Sequence, residues 1–368
     1  MAHIGIDARL THYRTGGTSR YIREIISAFE ELQPAQAFTI LQSRKSDIRL
    51  SERFPSAKTW TPPHHVWERA ALSLELWRHR FDLLHSPDFI APIRGARRHI
   101  ITVHDLSFIH YPEYLTADSR RYYNGQIRAS IERADHILSV SEATKGDLID
   151  ILDVPGEKIS VQLHGVDESF KPLPREETAP IIRALGLPDE FILCVGTLEP
   201  RKNLVGLARA YRDLKLELPA APKLVLVGRA GWLFERLMAD LQAVGINEDM
   251  VIKQDVSDEQ LPALYNHALA LATPSFYEGF GLPALEAMAC GTAPIVSGVS
   301  SLPEIVGDVG LLIDPHDTAT ITEALKTALT DSSWREAQSA AGQRRAAGFR
   351  WIETARGVLD CYDAVLGY

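Results

Sequence analysis

A chain of 368 residues, 45% hydrophobic and 24% charged, is too apolar for wholesale disorder and long enough for two cores, each of under about 200 residues. Its formal net charge of -9 excludes broad electrostatic attraction to nucleic acid, because counterion release needs a basic surface that the chain as a whole lacks. Any anionic ligand must be held by local positive charge.

Short apolar runs alternate with longer amphipathic segments from end to end, the pattern of doubly wound α/β domains with parallel sheets. In the first half, strands are expected at 3–7, 38–42, 83–85, 99–104, 136–140 and 159–162, with helices such as 18–32 and 119–133 between them. The second half repeats the rhythm, with strands at 191–195, 223–227, 251–254, 269–273, 292–297 and 310–313. Pro172, Pro174 and Pro180, with a charged cluster among them, are expected to stop both strand and helix and to form a hinge. The division expected is a Rossmann-like domain over 1–172, a second over 173–348, and a closing helix over 349–368 that opens at Phe349-Arg350-Trp351. Ligands of open parallel sheets bind beyond the carboxyl ends of the strands, so two such domains are expected to face a shared cleft lined by strand-to-helix loops.

Cys194, Cys290 and Cys361 lie far apart with no C-x-x-C pair, so neither a disulfide framework nor a zinc site is expected, and a reducing, cytoplasmic setting fits. The opening Met1-Ala2-His3-Ile4-Gly5 has no basic segment before an apolar core, and no apolar run approaches the ~20 residues that span a bilayer. Neither secretion nor membrane spanning is expected.

The residues that carry chemistry lie in loops at strand ends. After the strand ending near Thr273 comes Ser275-Phe276-Tyr277-Glu278-Gly279-Phe280-Gly281-Leu282-Pro283, then Glu286 and Gly291. Pro283 suits a helix start and Gly291 its stop, while the N–H groups of Phe280, Gly281 and Leu282 sit where a helix N-terminus can cradle a ligand. Glu278 before the helix and Glu286 one turn inside can both accept hydrogen bonds from sugar hydroxyls; the plainer reading makes one a solvated loop residue and the other a favourable charge on the helix dipole. Gly196-Thr197-Leu198-Glu199-Pro200-Arg201-Lys202-Asn203 follows the first strand of the second half, where Arg201 and Lys202 can neutralise a diphosphate. Thr15-Gly16-Gly17-Thr18 follows the first strand of all and is either a plain turn or a phosphate-binding loop; it lacks the third spaced glycine of a dinucleotide fingerprint. His104 ends the strand Ile100-Ile101-Thr102-Val103, with Asp105 placed to orient the loop behind it, and Ser141 ends the next strand as either a helix cap or a cleft residue.

The Glu278-to-Glu286 segment, filled with Gly-Phe-Gly-Leu-Pro-Ala-Leu, resembles the signature of glycosyltransferase family 4, retaining enzymes of the two-domain GT-B fold. Gly-Thr-Leu-Glu-Pro-Arg-Lys-Asn is similar to that family's phosphate segment, and Val-His-Asp-Leu-Ser-Phe-Ile-His with Pro112-Glu113-Tyr114 resembles the branch with bacterial mannosyltransferases. The resemblance implies a metal-independent transfer with retention from a nucleotide diphosphate sugar, GDP-mannose by preference and UDP- or dTDP-sugars otherwise. No further cofactor is implied, and no Asp-x-Asp triplet that would suggest a bound metal occurs in the chain. It implies that Glu278 and the backbone of Phe280, Gly281 and Leu282 contact the transferred sugar and that Glu286 contacts the ribose. By the same resemblance Arg201 and Lys202 are expected to stabilise the leaving diphosphate beside Gly196 and Thr197, Gly16 and Gly17 to approach phosphate, and His104 to bond the sugar. Loops at Gly228-Arg229 and Val256 are likewise expected to surround the base, and the last helix to cross back onto the first domain.

The implied acceptor is a glycan or a lipid-linked saccharide. Basic residues are dense over 44–98, where Trp67, Ala70, Ala71, Leu74 and Trp77 recur at helical spacing. That face either packs into the core or meets the inner face of a membrane bearing the acceptor. Two competing readings remain. A nicotinamide-dependent epimerase or dehydrogenase requires a full Gly-x-Gly-x-x-Gly turn and a tyrosine–lysine pair, neither of which is found; a non-catalytic nucleotide-sugar binding module has no use for His104, both glutamates and the Arg-Lys pair together.

Overall fold

The structure, a computed structural model, describes residues 1–13 and 16–368. Thr15, the first residue of the glycine loop, lies outside the described residues. Two compact units are present, one formed by Met1–His110, Ala117–Gly165 and Arg350–Tyr368, the other by Tyr111–Thr116 and Val166–Phe349.

The first unit holds seven strands: β1 (His3–Asp7), β2 (Ala37–Ser43), β3 (Ser56–Thr59), β4 (Phe81–Ser86), β5 (Ala96–Val103), β6 (His136–Ser139) and β7 (Ile159–Val161). They form one sheet in the order β3-β2-β1-β4-β5-β6-β7, every pair parallel. Its central strands read as continuous apolar runs because helices cover both faces; Ile4, Leu83, Leu84, Ile100 and Ile101 are fully buried. The chain runs outward from β1 through β2 to β3, then returns to place β4 on the other side of β1, so the winding reverses between β1 and β4. The last helix, Trp351–Leu366, belongs to this unit and packs on the helix Gly17–Leu32. Its Tyr362 is fully buried and shares a 2.6 Å hydrogen bond with His85 Nδ1.

The second unit holds β8 (Phe191–Val195), β9 (Leu224–Val227), β10 (Met250–Lys253), β11 (Ala268–Thr273), β12 (Pro294–Ser297) and β13 (Leu311–Ile313). They form a parallel sheet in the order β10-β9-β8-β11-β12-β13, with the reversal between β8 and β11. Ile192, Leu207, Tyr211, Leu226 and Leu325 are among the core side chains on one side of it.

The proline-rich stretch is not a break. A helix, Arg175–Ala184, runs through it with Pro180 inside, because a proline there forfeits only the hydrogen bond to the carbonyl of exposed Glu176. Residues ahead of it already belong to the second unit: Leu173 N and the Lys171 carbonyl both bond the Asn266 side chain. Apart from the short segment Tyr111–Thr116, the chain passes between units at Gly165 and Val166, and again at Phe349 and Arg350. These two passages touch, Val166 N donating to the Phe349 carbonyl at 3.1 Å, and only glycine fits at 165, where a Cβ would fall on the Trp351 backbone nitrogen.

Candidate active site

In the second unit the reversal of strand order brings the loop after β8 beside the loop after β11. The first ends in the short 3-10 turn Pro200–Lys202, closed by Asn203 in the left-handed conformation; the second runs from Ser275 to Gly281. Phe276 N donates to the Arg201 carbonyl at 3.0 Å, tying the loops together. Across this tie Lys202 Nζ donates to both oxygens of Glu278, at 2.6 and 2.8 Å, and Arg201 Nη1 reaches the same carboxylate at 3.5 Å.

Glu278 is buried. Burial would raise its pKa, but the charges of Lys202 and Arg201, with hydrogen bonds from Lys202 and Ser275, pull it down to about 2. Ser275 Oγ donates to it at 2.7 Å, Glu278 N donates to Ser300 Oγ, and Ser301 Oγ donates to its carbonyl. Arg201 is held on its other side by Glu199, which accepts from Nε at 3.1 Å and Nη2 at 2.9 Å, and by the Tyr277 carbonyl at 2.6 Å. Two cations thus face two carboxylates, and the cluster is formally neutral. Glu199 stands in the motif read from sequence but had no role there; Ser275 is signalled only by its place three residues before Glu278, and Ser300 and Ser301 by nothing in the sequence.

The loops after β8 and β9 also lie against each other. Leu198 N donates to the Arg229 carbonyl and Gly231 N to the Leu198 carbonyl. At Gly228, φ is 159° and a Cβ would fall on the Gly196 carbonyl, so glycine is required there by contact. Thr197 and Arg229 are exposed and Val256 is half-buried. Leu282–Ala289 is the expected helix, with Pro283 in its first turn and Gly281 capping it at φ 99°. Glu286 is buried and accepts from the Tyr265 hydroxyl at 2.7 Å.

In the first unit His104 follows β5. Its Nε2–H donates to the Pro87 carbonyl at 2.8 Å, and its ring meets Tyr21 edge to face. Burial lowers its pKa, with the Pro87 hydrogen bond and the charges of Asp88 and Asp105 opposing, so the ring is neutral at pH 7 and its Nδ1 is an acceptor. Asp105 accepts from Ser107 N and Oγ, which orients the loop. Ser141 caps the helix Glu142–Leu152 by accepting from Thr144 N. Gly16, at a φ of 134° that favours glycine, precedes the helix that begins at Gly17.

A second polar cluster of this unit was not legible in the sequence. The fully buried Arg9 guanidinium donates to Asp7 at 2.8 and 2.7 Å, to Glu68 at 2.6 Å and to the Thr61 carbonyl at 2.8 Å. Next to it, His64 Nε2 lies 2.6 Å from Asp88 Oδ2.

Comparison with known proteins agrees with the geometry. The family model for glycosyl transferases group 1 matches residues 177–345, and that for glycosyltransferase family 4 matches 15–170. The O-antigen chain mannosyltransferase B of Escherichia coli is 36% identical over 282 residues, 76% of this chain and 74% of that protein. The serotype-specific mannosyltransferase WbdA of the same organism is 33% identical over 255 residues, 67% of this chain but only 31% of that longer protein. A sucrose-phosphate synthase from Thermosynechococcus elongatus shares the fold over 100% of both chains, with a TM-score of 0.80 at 20% identity. The chain belongs to glycosyltransferase family 4, among the group 1 glycosyl transferases, and has the GT-B fold.

Proposed function

We propose that this glycosyltransferase moves mannose from GDP-mannose, with retention and without a divalent metal, onto a glycan or lipid-linked saccharide. The observation that carries the reading is the buried Glu278 carboxylate bonded by Lys202 and Arg201 where the strand order reverses. The preference for mannose is supported by the similarity to proteins named as mannosyltransferases. A carboxylate with a pKa of about 2 is ionised at every working pH and accepts hydrogen bonds from the sugar's hydroxyls. Lys202 and Arg201 then meet the negative charge that grows on the diphosphate as the glycosidic bond breaks. That bond's electron pair goes to the β-phosphate oxygen; the acceptor oxygen bonds the anomeric carbon on the same face, and its proton passes to that phosphate oxygen. Neutral His104, through Nδ1, accepts from a hydroxyl of the transferred sugar, and Glu286 from the ribose.

The partner reading has its own observation. On the helix Glu68–Leu76, Leu72 and Leu76 face inward, whereas Leu74 and the flanking Trp67 and Trp77 are 70–79% exposed. Together with nearby Arg78 and Arg80 this stripe supports peripheral contact with an anionic membrane that presents the acceptor. No helix among the described residues is long and apolar enough to cross a membrane.

The test is a panel of GDP-mannose, UDP-glucose and dTDP-glucose, each with and without chelator, scored by thermal shift and by the anomeric configuration of the product. GDP-mannose is expected to stabilise the protein most, with or without chelator, and to give an α-linked product. An obligatory magnesium requirement or an inverted product sinks the reading.

A further inference from the structure

One pocket of the first unit plays no part in the transfer chemistry described above. Open parallel sheets bind ligands beyond the strand ends where the winding reverses, here between β1 and β4. Arg9, just beyond β1, and Ser86 and Asp88, at the end of β4 and just beyond it, line a cavity of about 20 Å³ together with His64 and Glu68. That volume suits a single oxygen atom with its hydrogens.

Its chemistry selects what can enter. Arg9 is the only Arg or Lys among the described residues lining the cavity, and its donors are engaged by Asp7, Glu68 and the Thr61 carbonyl. Three carboxyl groups, those of Asp7, Glu68 and Asp88, thus line the cavity with one guanidinium whose donors are already engaged, which disfavours phosphate or carboxylate and favours a hydroxyl. Ser86 Oγ is buried, 2% of the residue being exposed, and has no hydrogen-bond partner among the described residues. Asp88 keeps a quarter of its side chain accessible.

Asp88 is also rigidly held. His64 Nε2 lies 2.6 Å from Asp88 Oδ2, the His64 N–H donates to Glu68 at 2.6 Å, and Tyr123 Oη stands 3.3 Å from His64 Nδ1. His64 adopts a φ of 59°, a conformation uncommon outside glycine and asparagine. The residue before Asp88 is Pro87, whose carbonyl fixes His104. One short segment thus positions both the pocket's carboxylate and the imidazole assigned to the transferred sugar.

We propose that Asp88, oriented by His64, and Ser86 bind one hydroxyl of a neutral saccharide acceptor. Asp88 accepts the hydroxyl's proton in a hydrogen bond, and Ser86 donates to its oxygen. The assignment rests on the reading that this chain transfers a sugar.

Methyl α-D-mannopyranoside is the probe. It is titrated into the full chain while the His64 imidazole signals are followed by NMR, and it also serves as acceptor with GDP-mannose as donor. The glycoside is expected to shift the His64 signals. Asp88→Asn keeps an oxygen to pair with His64 but loses the charge, and is expected to raise the acceptor KM at least about tenfold while the donor KM moves less than about twofold. Ser86→Ala, which breaks no side-chain hydrogen bond among the described residues, is expected to raise the acceptor KM about threefold. Unmoved His64 signals, or an acceptor KM that survives Asp88→Asn, overturns the assignment while leaving sugar transfer intact. If no nucleotide sugar is turned over, yet the glycoside shifts His64 in the wild type and not in Asp88→Asn, the transfer reading fails and the saccharide pocket stands.

Discussion

Lys202 spends two of its three ammonium protons on one carboxylate, that of Glu278, 76 residues further along the chain. Both groups are nearly buried, with side chains 12% and 9% exposed, so each is the main counter-charge of the other. Lys202→Ala and Glu278→Gln are each expected to lower kcat by roughly two to three orders of magnitude, the range for removing one preorganised electrostatic contact. Because the residues act as a pair, the double variant should lose much less than the product of the single losses. Either single variant working within a few fold of wild type would remove this pair from the chemistry.

The contact between Gly165 and Trp351 makes a separate claim about folding. A Cβ on Gly165 would collide with the backbone of Trp351, which cannot swing aside as a side-chain tip can. Gly165→Ala is therefore expected to cost about 1–3 kcal/mol or more. Gly125, exposed within the helix Ala117–Arg133, has nothing within 4 Å of its would-be Cβ. Gly125→Ala should stabilise by about 0.5–1 kcal/mol through helix propensity alone. Denaturant unfolding of the two variants measures both; equal effects would refute the steric account.

The same contrast explains what sequence reveals and what it hides. Strands such as Leu224–Val227 were legible because parallel sheets bury both faces and leave continuous apolar runs, whereas Ala96–Val103 was legible only from His99 on, its opening Ala-Arg-Arg being partly or fully exposed. Ser56–Thr59, Ser-Ala-Lys-Thr at the sheet edge, has no such run and was missed. Pro180 misled because a proline forbids less in a short surface helix than in a long buried one. At the site, Glu278, Arg201 and Lys202 were legible as residue types at strand ends, but their bonding depends on β8 lying next to β11, which strand order alone decides. The His64–Asp88 pair was hidden because its residues belong to no motif: His64, between β3 and the helix Glu68–Leu76, meets Asp88, just beyond β4, only in the folded unit.

Acid should unfold this protein through histidines kept neutral by burial. Burial, with the nearby charge of His104, pushes His85 down to about 3; burial, with Arg133 beside it, pushes His99 down to about 4. In the unfolded chain both return to roughly 6.5. Below that value the unfolded chain binds protons that the native one refuses, so stability is full above about 6.5 and falls with pH, each group costing roughly 2–3 kcal/mol by pH 4.5. Glu278 acts in the same direction further down, its contribution being full above about 4.5 and lost as pH falls through about 2. Neither ring nitrogen of His99 makes a well-formed hydrogen bond among the described residues, so His99→Leu sacrifices none of these. Calorimetry at pH 7, 5.5 and 4.5 should show the variant losing less Tm on acidification than wild type; an equal loss would place the acid sensitivity elsewhere.

The exposed stripe of Trp67, Leu74 and Trp77 separates membrane contact from stability. Side chains this exposed contribute little to the core, so replacing both tryptophans by alanine should leave Tm within a few degrees of wild type. A tryptophan that enters a lipid interface removes much of its large apolar surface from water, and Arg78 and Arg80 add attraction to anionic headgroups that salt screens. Co-sedimentation with vesicles containing phosphatidylglycerol should therefore fall at least about tenfold in the Trp67→Ala, Trp77→Ala double variant and should weaken with salt in the wild type. Soluble-acceptor transfer by the variant tells a damaged enzyme from one that has lost only its surface contact. Wild-type protein that stays in the supernatant with anionic vesicles at low salt would leave the stripe without a membrane role.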